Sequence, residues 1–355
     1  MAFSAFFNNL WDKIKASPTF VPTYIEFSPE QTDEIDALHQ AFDATLHYFS
    51  ISVNEMFLSD KRQWHMEVDP MVFSVCNFQY DGSTLETPFI IGPSSLKKYR
   101  EYVPQGMLYK NTPVVGIYPW RGGNVALSII LCKVERQNNI EKILNVVEEV
   151  ANSLDFSKSL SNSLKISKVI MNGINALLGF QETQPIIGIN NNFGQAANNL
   201  FKSGYYALIN DNNIDKYKFW VKNNELNYGN SLETSVPYRG DDFVLFKIGL
   251  AYKRDDEQSL PFYQEYKKIY EYIKNQVELD VKQRDNLKSR LTQLAVAIKL
   301  SPDLTAKQAD IIWKEKKEEI EGFVNMIAKL DGTEHAKEID TIDQIMNTAK
   351  DDLNF

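Results

Sequence analysis

Cysteine and histidine are scarce in this 355-residue chain: two of one, Cys76 and Cys132, and four of the other. Two cysteines cannot build a disulfide framework, so a reducing compartment fits and both read as small buried hydrophobes. No cysteine pair has zinc-ligand spacing. No apolar run reaches about 18 residues, so no membrane-spanning helix is expected. The first residues lack a charged leader followed by an apolar core and cleavage site, and a cytoplasmic location is the expectation. Walker-type phosphate loops, G-x-G-x-x-G and G-x-S-x-G are all missing, so no cofactor is expected. The net charge of −9 and pI near 5.2 argue against general nucleic-acid binding, which needs a basic footprint.

What remains is ordinary globular composition, 43% hydrophobic and 24% charged, with length for two domains or one with additions. Phe3, Phe6, Phe7, Leu10, Trp11 and Ile14 share one face of a helix that Pro18 ends. That face could dock on the chain's own core, a partner or a membrane surface. Ser28, Pro29 and Gln31 form a helix-start signal, and Ile35, Leu38, Phe42, Leu46, Phe49 and Val53 continue a helical stripe. "YFSISV" within it also has strand propensity. From about Val68 the period shortens, with strands at "PMVFSVCNF" and "TPFIIG" around an Asp81-Gly82 turn, then "PVVGIYPW" and "NVALSIILCKV". Helical patterns follow Arg136 and cover about 160–178.

One stretch occurs twice. At a constant offset of 118 residues, Pro119, Trp120, Arg121 and Gly122 meet Pro237, Tyr238, Arg239 and Gly240. The match runs outward through strand positions such as Leu127 with Leu245 and Ile130 with Ile248. This predicts an α+β fold with an internally duplicated antiparallel β-sandwich or barrel core, peripheral helices and a C-terminal helical hairpin. The expected parts are amphipathic helices over 1–60, a first β repeat with closing helix over 65–155, a bridging helix over 156–182, a second repeat over 183–259 and a coiled-coil-like region over 260–355. In the last, Leu260 to Leu300 reads as one long helix, and Thr305 with Gln308 as the capping box of the next.

Chemistry is thin. His65, Glu67 and Asp69 alternate onto one strand face, which could serve acid–base or metal chemistry but reads more simply as a solvated strand face. "DNNID" at 211–215 imitates the start of a calcium loop, but Lys216 replaces the required glycine. Arg121 and Arg239 could each receive an anion or an acidic partner segment, or could brace a turn in which glycine supplies an unusual dihedral. No metal or catalytic set is expected. The sequence therefore predicts a non-enzymatic interaction or assembly module, an adaptor or self-associating scaffold. A membrane-recruited effector and a hydrolase using His65 are the alternatives.

Overall fold

A computed structural model describes Asp12 and residues 22–34, 39–59, 62–63, 66–91, 112–135, 183–194, 200–275 and 281–330. The expected helices at 1–17, 137–150 and 160–178, and the tail after Leu330, lie outside the described residues. The fold is α+β: three sheets, in which every named strand pair is antiparallel, and three α-helices among the described residues. No sheet closes into a barrel among them. None of their helices is long and apolar enough to cross a membrane. They divide into two compact units, one ending at Tyr252 and the other beginning at Lys253.

The strands in chain order are β1 (Thr23–Glu26), β2 (Tyr48–Phe57), β3 (Arg62–Gln63), β4 (Met66–Tyr80), β5 (Ser83–Ile91), β6 (Thr112–Pro119), β7 (Val125–Glu135), β8 (Thr183–Phe193), β9 (Gly204–Ile209), β10 (Phe219–Lys222), β11 (Glu225–Tyr228), β12 (Val236–Pro237) and β13 (Phe243–Ala251). The central sheet runs β1-β9-β13-β2-β6, the second β3-β4-β7-β8 with β5 also on β4, and the small third β10-β11-β12.

Alternation explains why the central sheet is buried on both faces. On β13, Val244, Phe246 and Ile248 join Ile129 and Leu131 of β7 in one apolar cluster. Phe243 and Leu245 point the other way, into a cluster with Phe219, Val221 and Leu226 of the small sheet. On β2 a bulge interrupts the pattern: Leu245 pairs with Glu55 but Phe246 pairs with Val53, leaving Asn54 extra. The bulge lets Val53 and Met56 face the large core while Phe57 faces the small one.

The predicted hairpin at Asp81-Gly82 is present, with φ of 46° and 70° at its centre. The helix expected from Ser28 is not found among the described residues, and the strand alternative for "YFSISV" is what forms. The capping box forms, but it caps a single 3-10 turn at Pro29–Gln31. Residues 48–57 are strand instead, because "YFSISVNEMF" is rich in aromatic and β-branched residues and lies between two cores. The three-and-four spacing of Phe42, Leu46, Phe49 and Val53 coincides with a turn followed by alternating strand positions.

In the second unit, α1 (Pro261–Lys274), α2 (Val281–Lys299) and α3 (Ala306–Leu330) share one core that includes Ile269, Ile273, Leu291, Leu294, Ile312 and Ile320. The single long helix expected to reach Leu300 is therefore corrected. The Arg290 guanidinium lies 4.8 Å from the Tyr272 ring centre, whereas a continuous helix would separate those residues by about 27 Å. The capping box at α3 is half formed. Thr305 Oγ accepts from Gln308 N–H at 3.2 Å, but the Gln308 amide serves the Arg254 backbone, at 3.1 and 2.9 Å.

Truncating Phe246, fully buried in the large core, to alanine is expected to cost about 3–5 kcal/mol in denaturant unfolding. Tyr217→Ala, at a side chain 86% exposed, is expected to stay within about 0.5 kcal/mol. Equal losses would contradict the layering.

Candidate functional site

The two repeated stretches are corners at which the chain leaves one sheet for another. Trp120–Asn124 carries it from β6 in the central sheet to β7 in the second; Tyr238–Asp242 carries it from β12 in the small sheet to β13 in the central one. The rings brace both corners. Trp120 packs in the large core, and Tyr238 against the small one. The structure thus places Arg121 and Arg239 at separate corners, bordering different cores, and does not bring them together. The glycines differ too. Gly122 and Gly123 have φ of 80° and 78°, as expected of a strained turn, whereas Gly240 does not have positive φ. A Cβ at Gly240 would lie 2.8 Å from the Tyr238 hydroxyl, so close approach, not dihedral freedom, requires glycine there.

Arg121 is exposed. Arg239 reaches beneath its corner to Glu55, with Nη1 2.9 Å from Oε1, while also donating to the Tyr238 carbonyl and lying over the Phe57 ring. Glu55 is wholly buried. The β2 bulge turns it toward the small sheet, where Oε2 accepts from Leu226 N–H of β11 at 2.6 Å. Oε1 accepts no aligned hydrogen bond, so its contact with Arg239 is an ion pair off the ideal axis. Burial is the largest influence on this carboxyl and pushes its pKa up to about 7 from 4.5; the Leu226 N–H and Arg239 oppose that, and Glu225 adds to it.

A second polar group joins the same layers at their margin. Tyr205 donates to Glu34 and lies 2.5 Å from Asn224 Oδ1, and Asn54 Nδ2 donates to the same Asn224 oxygen at 3.3 Å. Lys247 pairs with Glu34 beneath the Tyr205 ring. Burial raises the Glu34 pKa, but hydrogen bonds from Lys247 and Tyr205 outweigh it and hold the carboxyl below its ordinary value.

The loop acids are engaged in local structure. Asp211 and Asp215 cap their own turns through Asn213 N–H and Tyr217 N–H at 2.8 and 3.1 Å. Asp241 takes the Tyr238 hydroxyl. Asp242 accepts from Ser59 N–H, Ser59 Oγ and Asn210 Nδ2, joining the ends of β2, β9 and β13. No group of three or more His, Cys, Asp or Glu able to hold a metal occurs among the described residues. Cys76 and Cys132 are buried in β4 and β7. His65 and the apolar face of Phe3, Phe6, Phe7, Leu10, Trp11 and Ile14 lie outside the described residues. Sequence reasoning missed Glu55. Its signal was available: one acid in "ISVNEMF", an otherwise apolar strand that has to be buried.

Chemically, these constellations fasten layers. The Glu55 side chain is 1% exposed and presents almost nothing to a substrate. Compared with known proteins, the chain matches no family model, no curated protein and no solved structure.

The folded pKa of Glu55 lies above its unfolded value, so its ionisation opposes folding. Stability is expected to be highest below pH 4.5 as far as this group is concerned, and to fall as pH rises toward 7, by an amount on the order of 3 kcal/mol. Glu55→Gln is expected to flatten that window in pH-dependent denaturation. Arg239→Ala is expected to cost more at pH 8, where Glu55 is ionised, than at pH 5, and Arg121→Ala under about 1 kcal/mol at either. Equal effects of the two arginines would refute the assignment.

Proposed function

We propose that the chain is a non-enzymatic protein–protein interaction module, an adaptor or self-associating scaffold. The observation carrying this reading is the apolar surface of the helical unit. Val296, Leu300 and Ile311 are 38%, 67% and 45% exposed, and the ion pair of Lys299 with Asp310 brings the end of α2 beside the start of α3, where all three lie. Tyr270 and Met326 are exposed on the same unit, with Tyr270 stacked on Phe323 at 4.4 Å. Clustered apolar side chains on a water-facing surface are the ordinary mark of a docking surface. Several internal polar groups are engaged in fastening: Arg254, for example, holds Asp256 through two bonds of 2.6 and 2.7 Å and the Asp303 carbonyl at 3.1 Å.

The finer architecture belongs to the same reading. The large core shared by the central and second sheets supports a β-sandwich, and α2 followed closely by α3 supports the C-terminal hairpin. The duplication is supported by the aligned corners and their strands. Neighbours are not shared: β7 pairs with β4 and β8, and β13 with β2 and β9. We therefore propose a repeated strand–corner–strand element carried into two different pairings. A cytoplasmic setting and docking through Phe6 and Trp11 remain part of the proposal.

Light scattering on the full chain and on Val296→Glu/Leu300→Glu/Ile311→Glu tests it. The triple variant is expected to lose self-association, or capture of a partner found with the full chain, while keeping its fold by circular dichroism. Unchanged assembly and partner binding in this variant, and on removing residues 1–17, would overturn the reading.

A further inference from the structure

His47 and Trp120 stand opposite each other at the end of the β2–β6 ladder. Tyr48 pairs with Pro119, and one step further Trp120 N–H donates to the His47 carbonyl at 3.0 Å. Opposite residues of an antiparallel pair project to the same face. Both rings lie against Phe42, each with its centroid 6.2 Å away. Both residues are nearly sealed from water, at 3% and 5% exposure. His47 Nδ1 accepts from Asp43 N–H at 2.9 Å, so the neutral ring carries its proton on Nε2. Burial keeps the ring neutral by lowering its pKa, against a smaller pull from Asp43. His47 Nε2 and Trp120 Nε1 both lack a hydrogen-bond partner. Two buried donors on one face are thus each left without a hydrogen-bond partner, an arrangement that native interiors avoid.

The surroundings narrow what would satisfy them. Phe42 stacks on Phe201 at 4.4 Å, and Tyr252 meets the His47 ring at 4.8 Å. Among these rings the one oxygen is the Tyr252 hydroxyl, which is bonded to Gln40. A water molecule would meet both donors but bring two hydrogens of its own into an aromatic setting. A carboxylate would stand near the Asp43 charge. A neutral carbonyl oxygen has two lone pairs for two donors and brings no hydrogen and no charge. We propose that His47 and Trp120 form a two-donor site for the carbonyl oxygen of a small neutral, apolar-bodied molecule, with Tyr252, 56% exposed, at its rim. This site goes beyond the interaction reading and holds whether or not the helical unit docks a partner.

Nitrogen-15 NMR on the full-length chain tests it, with benzamide as probe and benzoate as charged control. The Trp120 indole signal is assigned with Trp120→Phe, or by sequential assignment of the native chain if that variant misfolds. The expected result is the Nε2–H tautomer of His47 and saturable shifts of both ring signals with benzamide, at least tenfold weaker binding in His47→Phe, and no saturation by benzoate. The Nδ1–H tautomer, no saturable shift, saturation by benzoate alone, or unchanged binding in His47→Phe would each overturn the proposal.

Discussion

A wholly buried glutamate links the central sheet of the β unit to its small sheet. Glu55 leaves the central sheet at a bulge, takes the Leu226 N–H of the small sheet and pairs with Arg239 at the corner that returns the chain to the centre. Every partner in this contact comes from a different part of the chain, so the contact exists only when the layers are stacked in register. Its energetics are double-edged. Desolvation penalises the charged form, and the arginine returns part of that penalty. Packing around it, not the ion pair alone, supplies the adhesion: Phe57, Phe219, Val221, Leu226, Phe243 and Leu245 close the same layer.

That constraint explains what could be read in advance and what could not. The strands β4 to β7 and the Asp81-Gly82 hairpin were legible because alternation and turn chemistry are local. The corner motif was legible as a repeat and its arginines as candidate turn braces; Arg239 bonds the Tyr238 carbonyl and an acid. Which acid was not legible, because Glu55 lies far from Arg239 in sequence and its direction depends on the bulge at Asn54. The helical stripe read from Ser28 onward gave way to the strand that "YFSISV" also allowed, because three-and-four spacing over few residues also fits a turn followed by a strand. The long helix to Leu300 failed for a similar reason: a seam of Ile269, Ile273, Leu291 and Leu294 fits one straight rod or two helices folded together, and only the Tyr272–Arg290 approach decides.

The same economy bears on function. Asp241 and Asp242 stand where the first corner has Gly123 and Asn124. They are engaged by Tyr238, Ser59 and Asn210. Exposed apolar side chains remain on the helices, and a pair of unmet donors remains at His47 and Trp120. Among the described residues, these are the features left for a partner or ligand.

The central claim is that Glu55 is sealed between layers and titrates far from an ordinary carboxyl. Carbon-13 NMR of the Glu55 side-chain carboxyl, followed through a pH titration of the folded protein, measures this directly. The account predicts a midpoint near 7, moving higher still in Arg239→Ala. A midpoint at 4.5, unchanged by removing the arginine, would contradict it.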